Sequence, residues 1–212
     1  MRPSETKKGG GTALAVHKDL KPKPIQEYSE EFELLVVEVK TVDGPIRVVT
    51  GYGPQENWEE EKRIPFFLAL ETEVNKSELA GVPLIIEIDA NSKLGQQYIP
   101  NDPHVISPNG ALLSSIIENH NLIVCNGSTK CVGTITRKRV TSRSTEESAI
   151  DLVLISSDLS KHLVKVHIDE GRKHILRKIY KTKKGIRLKK VTTTQLSLSS
   201  IAKCLPTTKD RR

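Results

Sequence analysis

A chain of 212 residues is long enough to bury one medium-sized core and too short for two ordinary domains with linkers, so a single domain is expected. With 28% charged and 36% hydrophobic residues and no apolar run of the length a spanning helix needs, a helical membrane protein is excluded. The formal charge of +7 is unevenly held: residues 161–212 carry 16 Lys and Arg against 3 Asp and Glu, a net of +13, which leaves residues 1–160 at −6.

Residues 1–11 are polar and Gly-rich, with Lys7 and Lys8 but no apolar stretch, so no secretory signal is read there. Short segments rich in Val, Ile and Leu then predict strands over 12–16, 32–40 and 46–52. Between the last two, Val42-Asp43-Gly44-Pro45 carries the Asp-Gly signal of a tight hairpin, so these strands are expected to pair antiparallel. A helix is predicted over 58–77, with Asn57 as its N-cap, Glu59, Glu60 and Glu61 suiting the dipole of the first turn, and Ile64, Phe67, Leu68, Glu71 and Val74 along one face. Pro65 lacks an N–H and should kink that helix or delay its start.

A buried strand is predicted at 84–88 and a second helix over 109–119, with Leu112, Leu113, Ile116 and Ile117 on one face. Strands follow at 122–126, 132–137 and 150–156. Strands, helices and a hairpin in this order give an α/β (α+β) class with sheet in the middle and helices outside. Beyond Leu159 the period weakens: 164–168 and 174–180 are strand candidates joined by an Asp169-Glu170-Gly171 turn, and 181–212 reads as a basic, disordered tail.

Such a Lys/Arg-dense end can neutralise phosphates and release counterions, which makes nucleic acid a candidate partner; a solvated tail has the same composition. Cys125, Cys131 and Cys204 are odd in number and lack CxxC or Cys/His ligand spacing, which supports neither a disulfide framework nor a zinc module. Free thiols point to a reducing, intracellular compartment, nuclear or cytoplasmic.

Three polar groups interrupt or end apolar strands, where a rigid backbone can aim side chains into a cleft. Pro83-Leu84-Ile85-Ile86-Glu87-Ile88-Asp89-Ala90-Asn91 ends in Asp-x-Asn, with carboxylate and amide two residues apart. The acid can orient or deprotonate water while the amide donates to a phosphoryl oxygen; an Asx-turn closing the strand is the simpler reading. Tyr52, between Gly51 and Gly53 at another strand end, can reach a phosphate with its hydroxyl or act as an amphipathic core residue. Asp151 is a lone carboxylate in the apolar run Ala149-Ile150-Asp151-Leu152-Val153, a costly placement unless it is hydrogen-bonded.

In order, Gly9-Gly10-Gly11-Thr12-Ala13-Leu14, Gly51-Tyr52-Gly53-Pro54, Ile88-Asp89-Ala90-Asn91, Asn109-Gly110-x-Leu112-Leu113, Gly133-Thr134-Ile135-Thr136-Arg137 and Ile150-Asp151-Leu152-Val153-Leu154 resemble the endonuclease/exonuclease/phosphatase superfamily. Within it, the likeness is to the endonuclease domains of non-LTR retrotransposons and covers Gly9 to about Tyr180. The resemblance implies a DNase-like four-layered α/β sandwich, incomplete here, over residues 1–180, and Mg²⁺-dependent nicking of a DNA phosphodiester. It gives Asp89 the attacking water and the metal, Asn91 and Tyr52 the scissile phosphate, Asp151 the orientation of a histidine, and Thr134, Thr136 and Arg137 the DNA backbone.

Two departures qualify that expectation. The family pattern opens with strands bearing an Asn and a metal-binding Glu, and this sequence starts after both, which suggests a missing N-terminal segment of the same domain. It also closes with Ser-Asp-His, and no Asp-His pair occurs here. Read one nucleotide earlier, the codons of Lys190-Val191-Thr192-Thr193-Thr194 permit Ser-Asp-His, so a frame change near Lys190 is expected. Activity is accordingly expected to be lost or impaired; the alternative is a non-catalytic fragment that binds nucleic acid through its basic end.

Overall fold

The computed structural model describes residues 12–28, 32–100, 102, 104–140, 142, 144–163, 165–168, 176–182 and 185–191. Among the described residues, twelve strands and two α-helices run in chain order as β1 (Lys23–Tyr28), β2 (Glu33–Thr41), β3 (Gly44–Tyr52), α1 (Glu60–Leu79), β4 (Leu84–Asp89), α2 (Pro108–Asn119), β5 (Ile123–Val124), β6 (Cys131–Val132), β7 (Arg137–Val140), β8 (Thr145–Ser148), β9 (Asp151–Ile155), β10 (Val166–His167), β11 (Leu176–Thr182) and β12 (Gly185–Val191). Short 3₁₀ segments lie at Lys18–Leu20, Cys125–Gly127 and Ser157–His162.

Six strands form one sheet in the order β1-β2-β3-β4-β9-β5. The expected hairpin is present: β2 and β3 pair antiparallel from Glu33↔Tyr52 to Thr41↔Gly44. Its turn needs Gly44, whose φ of +128° is disfavoured for any residue with a Cβ. Between β3 and β4 the chain crosses over through α1, which lets the two pair parallel, and β9 then returns antiparallel to β4. Alternation sorts the side chains. Leu34, Val36, Val49, Ile86, Ile88, Leu152 and Leu154 face the helices, where they pack with Phe66, Leu70, Val74, Leu113 and Ile117. Val37, Val39, Ile46, Val48, Ile85, Val153 and Ile155 line the opposite face with Cys125, Leu159, Leu163 and Val166. Each fully buried Leu, Ile or Phe contributes about 1.5–3 kcal/mol.

Several boundaries move. The segment 12–17 has no regular structure, although Leu14 and Val16 still pack against the second cluster. Helix α1 starts at Glu60 after an N-cap at Glu59 rather than Asn57, and runs through Pro65. Its buried face is Arg63, Phe66, Phe67, Leu70, Glu73, Val74 and Ser77. The expected face is therefore rotated: Leu68 is 57% exposed because Phe66 and Leu70 take the core. Helix α2 begins at Pro108, with Ser107 as N-cap accepting from the Gly110 N–H. The single strand expected at 132–137 is two short ones, β6 and β7, separated by the irregular segment 133–136. β1 and β8 carried little apolar signal: β1 is almost wholly exposed at the sheet edge.

β11 and β12 pair antiparallel into a separate ribbon. Residues 1–11 and 192–212, with the Gly-rich opening motif and most of the frame-change segment, lie outside the described residues. The mixed α/β class is the one expected; among the described residues, helices on one face of a six-stranded sheet are the layers that position the site.

Candidate active site

Pairing register assembles the site. Glu33 stands opposite Tyr52, Tyr52 opposite Asp89, and Asp89 opposite Asp151. Partners in register share a face of the sheet, so Glu33, Tyr52, Asp89 and Asp151 form one row across β2, β3, β4 and β9. The next row inward is Leu35, Thr50, Glu87 and Val153. Deeper still, Val37, Val48, Ile85 and Ile155 belong to the apolar cluster, so polarity rises row by row toward one end of the sheet.

The Asp89 carboxyl is pushed up to about 6, first by burial and then by the Asp151 charge; the Asn91 backbone N–H and the Arg137 guanidinium pull in the other direction. Glu87 is pushed up to about 7 by burial, and its Oε1 is buried without a hydrogen-bond partner. Tyr52 is 44% exposed, and its hydroxyl accepts a 2.7 Å hydrogen bond from Gln55 Nε2. Asn91 has a left-handed backbone, φ +43°; its Nδ2 donates to the Gly53 carbonyl at 2.9 Å and its N–H to Asp89 Oδ1 at 3.2 Å. The simpler Asx-turn is thus present at Asp89-Ala90-Asn91, and the Asn91 side-chain amide is turned to the Gly53 carbonyl.

Thr136 holds the start of β9. Its Oγ1 accepts from the N–H groups of Ile150 at 2.9 Å and Asp151 at 3.0 Å, which fixes where Asp151 enters the row. Thr134 is half-buried in the same irregular segment, and Arg137 is exposed at the start of β7. β7 and β8 pair antiparallel from Arg137↔Ser148 to Val140↔Thr145, and a shallow depression lined by His104, Ser144, Thr145, Glu146 and Glu147 adjoins β8. There Lys93 Nζ meets Glu146 Oε1 at 3.1 Å and holds that carboxyl below its usual range, with a smaller contribution from Arg137. His104 Nε2 lies 2.9 Å from the Glu147 carbonyl. The predicted residues Tyr52, Asp89, Asn91 and Asp151 are brought together, while the depression has other walls.

Sequence reasoning gave no role to Glu33, Glu87 or Arg63, and none to Asn109 beyond its place in the Asn109-Gly110-x-Leu112-Leu113 motif. Glu33 enters only through the β2–β3 register. Glu87 was visible as an acid inside Leu84-Ile85-Ile86-Glu87-Ile88. Arg63 and Asn109 are buried polar residues whose bond, Nη1 to Oδ1 at 2.9 Å, lies behind the loops that follow β3 and β4.

In this row Asp89, with its ionisation displaced toward neutral pH, can exchange a proton with a bound water beside Asp151; the Tyr52 phenol and the Arg137 guanidinium nearby can hold an anion. Mg²⁺, the cation the resemblance implies, takes near-octahedral oxygen coordination. Among the described residues no group of three or more His, Cys, Asp or Glu side chains could hold a metal ion. Asp89 and Asp151 alone therefore do not fit a complete cation site. Among the described residues, too, no helix is long and apolar enough to cross a membrane.

No protein-family model matches the chain, and no curated protein does either. Among solved structures it is similar to the endonuclease domain of TRAS1, a telomere-specific non-LTR retrotransposon, at 18% identity and a TM-score of 0.50, over 71% of this chain. The matched part spans 63% of that domain. Weaker likenesses include an endonuclease/exonuclease/phosphatase family protein from Bacteroides thetaiotaomicron (12% identity, TM-score 0.43, 77% of this chain and 51% of that one). Another is D. rerio TDP2 complexed with a single-strand DNA product (13%, 0.41, 79% and 64%). Over 71% of its length, then, the chain shares the fold of a non-LTR retrotransposon endonuclease domain.

Proposed function

We propose that this protein is directed at DNA phosphodiesters, with Tyr52, Asp89 and Asp151 as the core of the site, and that its own hydrolytic activity is impaired. The observation that carries the reading is the row Tyr52–Asp89–Asp151 across β3, β4 and β9. Asp89 positions or deprotonates water, while Tyr52, Asn91 and Arg137 meet the phosphate; Thr134 and Thr136 lie on the path of the DNA backbone. The impairment follows from the donor set: two carboxylates make a thin shell for Mg²⁺, and the sequence holds no Asp-His pair to supply a paired histidine. DNA as substrate is supported by the likeness to a retrotransposon endonuclease domain.

The experiment is a time course of supercoiled plasmid with Mg²⁺, for the protein and Asp89→Ala, beside a DNA-binding titration at several salt concentrations. Nicking no faster than in Asp89→Ala, with salt-sensitive binding, is expected. Chelator-sensitive nicking that Asp89→Ala abolishes contradicts the impairment, and absence of binding at low salt contradicts the substrate.

A second reading, binding without chemistry through the basic end, has its own support. In the β11–β12 ribbon Arg177 stands opposite Lys190 and Lys178 opposite Lys189. A segment so rich in Lys and Arg can neutralise phosphates and release counterions.

A further inference from the structure

The Asn109-Gly110 motif plays no part in the chemistry proposed above, yet its asparagine has the most completely used side chain near the site. Asn109 is 0% exposed. Its Nδ2 donates to two carbonyls, Pro54 at 2.8 Å and Asn91 at 3.1 Å, and its Oδ1 accepts from Arg63 Nη1 at 2.9 Å. Arg63, itself 8% exposed, is anchored by Nε to the Trp58 carbonyl at 3.1 Å. None of these bonds serves α2: capping falls to Ser107, whose Oγ accepts from Gly110 and Lys93. Gly110 lets the helix press on the loop, since a Cβ there would overlap the Lys93 carbonyl.

The two carbonyls are the ends of the two site strands. Pro54 follows Tyr52 by two residues, and Asn91 follows Asp89 by two. Asn91 occupies the left-handed region at φ +43°, which costs a non-glycine residue about 1–2 kcal/mol and persists only where its surroundings hold it. In that conformation its N–H reaches Asp89 Oδ1, and its Nδ2 reaches the Gly53 carbonyl. We propose that Asn109, braced by Arg63, is the positioning residue of this site: it fixes the turn at Asn91 that aims a backbone N–H at the Asp89 carboxylate and ties the β3 and β4 loops together. The inference rests on reading Asp89 as a site residue, but not on DNA being the substrate.

The test is amide hydrogen exchange at Asn91, read by nitrogen-15 NMR at one fixed pH without DNA or metal. It is run on the intact chain, Asn109→Ala and the core control Val74→Ala. Because Asn109 Nδ2 holds the Asn91 carbonyl and so the turn that directs the Asn91 N–H to Asp89 Oδ1, losing it should open that turn locally. The expected result is an Asn91 N–H that is protected in the intact chain, exchanges about ten-fold or more faster in Asn109→Ala than in Val74→Ala, and keeps its protection in Val74→Ala apart from any chain-wide change. If Asn109→Ala does not fold, Asn109→Ser, which keeps one donor, is read in the same way. An Asn109 variant whose Asn91 N–H exchanges no faster than in Val74→Ala overturns the proposal. A plasmid that is never nicked leaves this outcome untouched, so the two failures are distinguishable.

Discussion

Asp89 and Asp151 stand opposite each other on adjacent antiparallel strands, and the charge on Asp151 adds to burial in raising the Asp89 carboxyl to about 6. The ordinary value is 3.8, so folding favours the protonated acid. The stability this contributes is complete below the ordinary value and is lost as pH rises through about 6. Asp89→Asn removes that loss. The variant should exceed the parent by about 1–3 kcal/mol at pH 7.5 and by little at pH 4, as read by urea denaturation at both. An equal difference at the two pH values contradicts the assignment.

Glu87 extends the same argument one row inward. Its carboxyl is raised from 4.5 to about 7 by burial alone, so its contribution is lost between those values. Glu87→Gln should raise the melting temperature at pH 8 and leave it nearly unchanged at pH 4, because the neutral amide needs no desolvation of a charge. Thermal unfolding of both proteins across that range checks it.

Thr136 separates a hydroxyl from its shape. Thr136→Val keeps the volume but leaves the Ile150 and Asp151 N–H groups without their acceptor, an expected cost of about 1–3 kcal/mol. Thr136→Ser retains the acceptor and should lose less than half as much. Equal losses in denaturant midpoints would mean that the methyl group, not the bond, holds the start of β9.

Gly110 is required by contact rather than by dihedral freedom. A methyl group there would meet the Lys93 backbone carbonyl, which cannot swing away as a side chain does. Gly110→Ala should destabilise by about 1–3 kcal/mol in spite of alanine's better helix propensity. A neutral or stabilising result by denaturant titration shows that α2 can lift off the loop.

What the sequence made legible was local. The Asp-Gly turn announced the β2–β3 hairpin, and the apolar run ending at Asp89 announced a core strand. Asp151 stood out as an acid in an apolar strand, and the resemblance placed it in the same site as Asp89. What was not legible depended on pairing. Glu33 joins the row only because β2 and β3 align it with Tyr52, and no local period carries that register. Arg63 and Asn109 are 46 residues apart and find each other only once α1 and α2 pack on one face. The face of α1 was misjudged because Leu68 and Phe66 are equally apolar in a pattern, and only tertiary packing chose Phe66.

The central claim is that DNA meets the row of Tyr52, Asp89 and Asp151, and metal-free DNA affinity tests it most directly. Removing a carboxylate that faces phosphate relieves repulsion, so Asp89→Asn should bind a short duplex several-fold more tightly than the parent at pH 7.5. The parent's own affinity should rise as pH falls through about 6, where Asp89 takes up its proton, while that of Asp89→Asn should change less. Equal affinities for the two proteins at every pH would contradict the claim and leave DNA to the basic C-terminal ribbon.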